Sequence, residues 1–154
     1  MTVLVDADAC PVKDDCIRVA LRHATPVRFF ANSYLRLTDH PLVSLTVTGT
    51  GFDAADDALA AAAGPGDVAV TADILLADRC LKAGAAALSP SGRPFTPDSI
   101  GGAVATRAIM ADLRGGIGQA HGPVAGGPPP FGKADRARFL QALDAALVRA
   151  ARRR

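Results

Sequence analysis

Glutamate is absent from this chain of 154 residues, and all fifteen of its acidic residues are aspartate. Aspartate therefore supplies every acidic cap and ion pair, so a functional carboxylate has to be recognised by its position and not by its type. Tryptophan is absent too, with one tyrosine and six phenylalanines. The core must be built from Val, Leu, Ile and Ala, and aromatic stacking is a poor theme. Cysteine is scarce, and an odd set of three without C-x-x-C spacing argues for a reduced, intracellular protein. No apolar run approaches the roughly 18 residues that span a membrane, and Asp6 falls where a signal peptide would be apolar. The expectation is a cytoplasmic protein with no membrane partner. The formal net charge of +2 gives no global field toward nucleic acid, although a local basic patch remains open.

The length suits a single α/β domain over residues 1–154. Strand-like runs at residues 2–6, 26–31, 42–48, 67–71 and 85–89 alternate with helical patterns, the signature of a mainly parallel, five-stranded, three-layer Rossmann-like sheet. Pro11 suits the first position of a helix whose face carries Val12, Cys16, Val19 and His23. The connection from Asn32 to Thr38 has room for only a turn or two. Asp53 is placed to cap a helix over 53–63, which Gly64-Pro65-Gly66 stops. A helix over 74–83 ends at Gly84. A turn-rich crossing then leads to C-terminal helices over about 98–114 and from Lys133 onward, the latter with Phe139, Leu143, Leu147 and Ala150 in a stripe. Between them, residues 115–132 hold seven Gly and four Pro, the composition of a loop or arm. The closing Arg152-Arg153-Arg154 suits a helix C-terminus on dipole grounds alone.

The informative acids stand where apolar strands run out. Val3-Leu4-Val5 ends in Asp6-Ala7-Asp8, and Val68-Ala69-Val70 leads to Thr71-Ala72-Asp73. Ligands of open parallel sheets bind outside the carboxyl ends of the strands. If the first and fourth strands are neighbours, their ends lie about 4.8 Å apart. Two unit charges about 5 Å apart repel by roughly 3 kcal/mol at an effective dielectric near 20. A shared proton, a nearby lysine or arginine, or a hard cation would relieve this, and oxygen-only ligands point to Mg²⁺ or Mn²⁺. Asp56, in the first turn of the helix after the third strand, is placed to join Asp6 and Asp73 as a third ligand. Such a cation polarises phosphoryl oxygens and acidifies water, the chemistry that cuts phosphodiesters. Lys13, Arg79 and Lys82 lie on helices near the strand ends, where they can hold phosphates; Lys13 is the best of them, since dipole electrostatics disfavour a cation in a first helical turn.

Rival signals are weaker. Gly49-Thr50-Gly51-Phe52-Asp53-Ala54 fits G-x-G-x-x-A, but it follows the third strand and Asp53 would repel a pyrophosphate. Cys10 sits at a helix start beside Asp6 and Asp8, whose charges oppose thiolate formation, and reads as a packing residue. His23, His40 and His121 have no ligand spacing.

The run Val5-Asp6-Ala7-Asp8-Ala9-Cys10-Pro11-Val12-Lys13, with Asp53-Ala54-Ala55-Asp56, Thr71-Ala72-Asp73-Ile74-Leu75-Leu76-Ala77 and Asp135-Arg136-Ala137-Arg138-Phe139, resembles the YaiI/YqxD family of bacterial proteins. That family is placed by similarity among PIN-like domains, metal-dependent nucleases that are commonly ribonucleases. The resemblance implies catalytic and metal roles for Asp6, Asp56 and Asp73, while Asp8 matches the narrower family motif as an assisting acid. It implies basic, phosphate-contacting positions at Arg107, Arg114 and Arg136. Where many PIN domains bring a further acid beyond the fifth strand, this chain reads Ser89-Pro90-Ser91-Gly92.

The leading expectation is a Mg²⁺- or Mn²⁺-dependent nuclease acting on single-stranded RNA. The D-x-D after a strand also fits a haloacid-dehalogenase-type phosphatase with Asp6 as nucleophile and Asp8 as acid, although the usual Gly-Thr after the second Asp is replaced. A non-catalytic domain that binds RNA or a partner is the third reading.

Overall fold

Short runs rich in Val, Leu and Phe form strands, and amphipathic runs between them form helices. In the computed structural model, which describes residues 1–8, 10–49, 51, 53–101 and 131–153, the strands are β1 (Val3–Asp6), β2 (Val27–Ala31), β3 (Val43–Val47), β4 (Val68–Val70) and β5 (Ala86–Leu88). The helices are α1 (Lys13–Arg22), α2 (Ala54–Ala62), α3 (Ile74–Lys82) and α4 (Lys133–Arg152), with helical backbone at residues 97–101 as well. The expected α/β sheet is present. Its strands run in the order β3-β2-β1-β4-β5 and every neighbouring pair is parallel.

Alternation along the strands sorts the core into two layers. Val3 and Val5 of β1, Val27 and Phe29 of β2, and Val68 and Val70 of β4 face α1 and α4, where they meet Val12, Cys16, Val19, Phe139, Leu143 and Leu147. Leu4, Phe30 and Ala69 face the opposite way, against Leu59 of α2 and Leu76, Ala77 and Cys80 of α3. Burial of each large aliphatic or aromatic side chain contributes about 1.5–3 kcal/mol. The C-terminal stripe Phe139, Leu143 and Leu147 thus fastens α4 to the sheet, as its spacing predicts.

Several boundaries differ from the sequence expectation. Helix α1 begins at Lys13, with Val12 in the cap position, so Pro11 lies in the preceding turn and not in the first helical position. The first helical hydrogen bond runs from the Cys16 amide to the Val12 carbonyl. The expected helical turn after β2 is absent: residues 32–40 carry no helix, because Leu35 and Leu37 pack onto the core from an irregular segment. Asp53 occupies the cap position of α2, but its side chain accepts no capping hydrogen bond. Helix α3 ends as expected, with Gly84 at φ +96°. The continuation of the helix expected over 98–114, and the Gly/Pro-rich stretch up to residue 130, lie outside the described residues. Among the described residues no helix is long and apolar enough to cross a membrane.

The edge strand β5 is folded over by the next segment, where Leu88 bridges to Pro94 and the Phe95 amide bonds to the Ala87 carbonyl. That turn contains Gly92 at φ +85°, pressed against α4. A Cβ there would lie 2.5 Å from the Arg138 carbonyl carbon and 2.6 Å from the Phe139 nitrogen. Gly92→Ala is expected to destabilise the fold by roughly 2–3 kcal/mol, through positive φ and displacement of α4. Gly66 has a similar φ of +88° but open space around it, so Gly66→Ala should lose only about 1 kcal/mol. Urea unfolding of the two variants checks the difference.

Candidate functional site

The chain leaves β1 in one direction through β2 and β3, then returns to place β4 on the other side of β1. The carboxyl ends of β1 and β4 therefore flank a topological switch point, the place where open α/β sheets bind ligands. Val5 pairs with Val70 across this boundary, so Asp6 and Thr71 emerge side by side.

The two residues are bonded directly. The buried Thr71 hydroxyl donates to Asp6 Oδ2 at 2.9 Å and accepts the Asp73 amide at 3.0 Å. Asp73 Oδ1 in turn accepts the Leu75 and Leu76 amides at 2.9 and 3.2 Å, capping α3. Asp6 and Asp73 thus share one relay, and both line an open depression of about 430 Å³ together with Ala72 and Ile74. Asp8 stands on the β2 side, where its Oδ2 accepts the Asn32 amide at 3.3 Å. Asp56 projects from the first turn of α2.

Electrostatics ties these acids into one group. Burial is the largest cause that pushes the Asp6 carboxyl up to about 6; the charges of Asp56, Asp8 and Asp73 raise it further, while the Thr71 hydroxyl pulls it down. The Asp56 carboxyl is also raised, first by burial and then by Asp73 and Asp53, with Arg79 acting in the opposite sense.

The donors are all oxygen, which suits a hard ion such as Mg²⁺ or Mn²⁺. Among the described residues no three His, Cys or Asp side chains converge as a ready-made cage. Mg²⁺ does not need one, since it binds through one or two carboxylates and keeps several waters. Asp6 and Asp73, which line the same depression, are the pair of carboxylates that such an ion would use, and Asp56 adds its charge to Asp6.

The expected phosphate-binding cations are mostly engaged elsewhere. Arg79 pairs with Asp57 at 2.9 Å and joins α3 to α2, and Lys82 pairs with Asp78 at 2.9 Å. Arg136 forms an ion pair with the buried Asp15 and reaches the Pro11 carbonyl at 3.5 Å. It therefore braces the turn after Asp8. Lys13 bonds the Cys10 carbonyl at 2.9 Å and has no ion-pair partner among the described residues. Arg107, Arg114 and His121 lie outside the described residues. His23 bonds Asp144 at 2.6 Å and ties α1 to α4. Cys10 and Cys16 are both buried; the neighbouring Cys16 thiol holds Cys10 below its usual range, and burial pushes Cys16 up.

Sequence reasoning missed Thr71, Asn32 and the Asp15–Arg136 pair. A signal for Thr71 was present: a hydroxyl two residues before a helix-capping acid, directly after a strand, is placed to bond across to the neighbouring strand end.

The family profile described as "Uncharacterized BCR, YaiI/YqxD family" matches residues 4–149. A UPF0178 protein of Sphingopyxis alaskensis is 64% identical over 150 residues, covering 97% of this chain and 95% of that protein. A UPF0178 protein of Jannaschia is 54% identical, covering 96% and 92%, and one of Rhodopseudomonas palustris is 51% identical, covering 99% and 93%. No solved structure matches the chain.

Proposed function

The chain belongs to the YaiI/YqxD family, and from the acids gathered at its switch point we propose that it is a Mg²⁺- or Mn²⁺-dependent phosphodiesterase cutting single-stranded RNA. The observation that carries the reading is the Asp6–Thr71–Asp73 relay at the meeting of β1 and β4, with Asp8 and Asp56 adding charge to the same point. A group of unneutralised carboxylates is unfavourable in the free protein, and a divalent ion turns that repulsion into binding energy.

Asp6 and Asp73 would hold the ion, with Asp56 as the third acid whose charge acts on the site. When bound, the ion polarises a phosphoryl oxygen and makes water more acidic. Asp6, half-buried among other acids and pushed up to about 6 in the free protein, is the carboxylate whose charge a bound cation relieves most. Thr71 fixes the orientation of its carboxylate, and Asp73 is fixed by the α3 amides. Lys13, which opens α1 after β1 and has no ion-pair partner among the described residues, is the cation available to offset phosphate charge.

Cleavage of end-labelled single-stranded RNA, with Mn²⁺ or with EDTA, tests the reading. Wild type should cut only with the cation. Asp73→Asn keeps a good helix cap but removes a ligand charge, so it should fold normally and lose at least ~100-fold in rate. RNA that binds but is never cut in any divalent ion would favour the binding-module reading. A beryllium fluoride adduct on Asp6 would favour the phosphatase.

A further inference from the structure

The aromatic poverty of the sequence makes the position of its only tyrosine informative. Tyr34 is 77% exposed, and the other large hydrophobic residues that are exposed among the described residues are Val47 and Leu75. All three lie on the carboxyl rim of the sheet: Tyr34 just after β2, Val47 at the end of β3, and Leu75 in the first turn of α3. Exposed apolar side chains on the rim that carries the acids suit a ligand with flat apolar faces, and negative charge on such a ligand has to be met by a cation and not by the acids.

The local chain explains how Tyr34 is presented. Leu35 and Leu37 are partly buried against the core, whereas Tyr34 and Arg36 are exposed. Tyr34 and Arg36 alternate with the two anchored leucines, and both are left facing solvent. The start of the segment is fixed beside the acids. The Asn32 amide bonds Asp8 at 3.3 Å, and the Thr48 hydroxyl bonds the Asn32 side chain at 3.4 Å. Two residues of chain span at most about 7 Å, which keeps the Tyr34 backbone close to Asp8. Arg36 has no ion-pair partner among the described residues, in contrast to Arg79 and Arg136.

We propose that Tyr34 and Arg36 form a single-strand nucleic-acid platform, Tyr34 stacking a base and Arg36 contacting a neighbouring phosphate of the strand that reaches Asp6. An aromatic face beside a cation is the combination by which proteins hold single strands with little sequence preference. The choice of the strand passing over Asp6 rests on the phosphodiesterase reading; the stacking itself does not.

With one tyrosine and no tryptophan, intrinsic tyrosine emission reports Tyr34 alone. Oligouridylate titrated into wild-type protein in EDTA should quench that emission to saturation, while a duplex of the same length should not. In anisotropy titrations with a labelled strand, Tyr34→Ala should weaken binding ~10-fold and Tyr34→Phe less than ~2-fold. Arg36→Ala should weaken binding and flatten its salt dependence. A strand that is bound and cut with unchanged tyrosine emission, and equally well by Tyr34→Ala, would overturn the platform while leaving the phosphodiesterase intact. Quenching and Tyr34-dependent affinity without cation-dependent cleavage would support the platform and remove the nuclease. Absence of binding to any single strand would overturn both.

Discussion

Asp6→Asn is expected to melt about 4 °C above wild type at pH 7.5 while losing at least ~100-fold in cation-dependent cleavage. The Asp6 carboxyl is pushed up to about 6 from an ordinary value of 3.8, so folding favours its neutral form. The sign follows from proton counting. Between about pH 4 and 6 the folded state binds more protons at this site than the unfolded state, and stability falls as pH rises. Above pH 6 the full unfavourable contribution is present, and below about pH 4 it vanishes. The shift taken at face value would exceed 2 kcal/mol; discounted for solvent at a half-buried group, it is on the order of 1–2 kcal/mol. Asparagine retains an oxygen to accept the Thr71 hydroxyl and removes the charge that Asp56, Asp8 and Asp73 oppose. The gain in melting temperature should therefore grow from pH 4 to pH 6 and then level off. Thermal melts across that range check it, and a variant less stable than wild type at pH 7.5 would show that the Asp6 charge is already compensated.

Arg136→Ala should destabilise the protein by about 3 kcal/mol, because it leaves the Asp15 carboxylate buried without its partner. Asp15 is only 3% exposed. Adding Asp15→Asn should recover part of the loss, giving a coupling of at least ~1 kcal/mol in a double-mutant cycle. The same substitution withdraws a donor from the Pro11 carbonyl, next to the turn that follows Asp8. Urea unfolding measures the stability, and steady-state cleavage separates the roles. A residue that contacts phosphate directly would raise KM with little change in stability. The geometry predicts the opposite order of effects.

Much of the sheet was legible because its strands are short Val- and Phe-rich runs bounded by turns. Residues 26–31 were expected as a strand, and Val27–Ala31 forms one. The adjacency of β1 and β4 was a condition of the sequence argument, and the strand order meets it, placing Asp6 and Asp73 at one rim. Cap chemistry was less legible. A local pattern assigns Asp53 to capping, but its carboxylate makes no such bond, whereas Asp73, read as a ligand, is also the α3 cap. Pro11 has a suitable φ for a helix start, yet the turn after Asp8 runs two residues further before α1 begins. Least legible were the Asp15–Arg136 and His23–Asp144 contacts, each between residues 121 apart. Periodicity shows which face of a helix is apolar but not which charge on a distant helix meets it, so the pairing of Arg136 with Asp15 emerges only when α1 and α4 are packed together.

Calorimetric titration of Mn²⁺ into wild type and Asp6→Asn at pH 7.5, with cleavage of labelled single-stranded RNA followed in the same samples, tests the central claim most directly. Binding to wild type accompanied by RNA cleavage, with both lost in the variant, is the predicted result. Unchanged Mn²⁺ affinity in Asp6→Asn, or no binding to wild type at all, would contradict it.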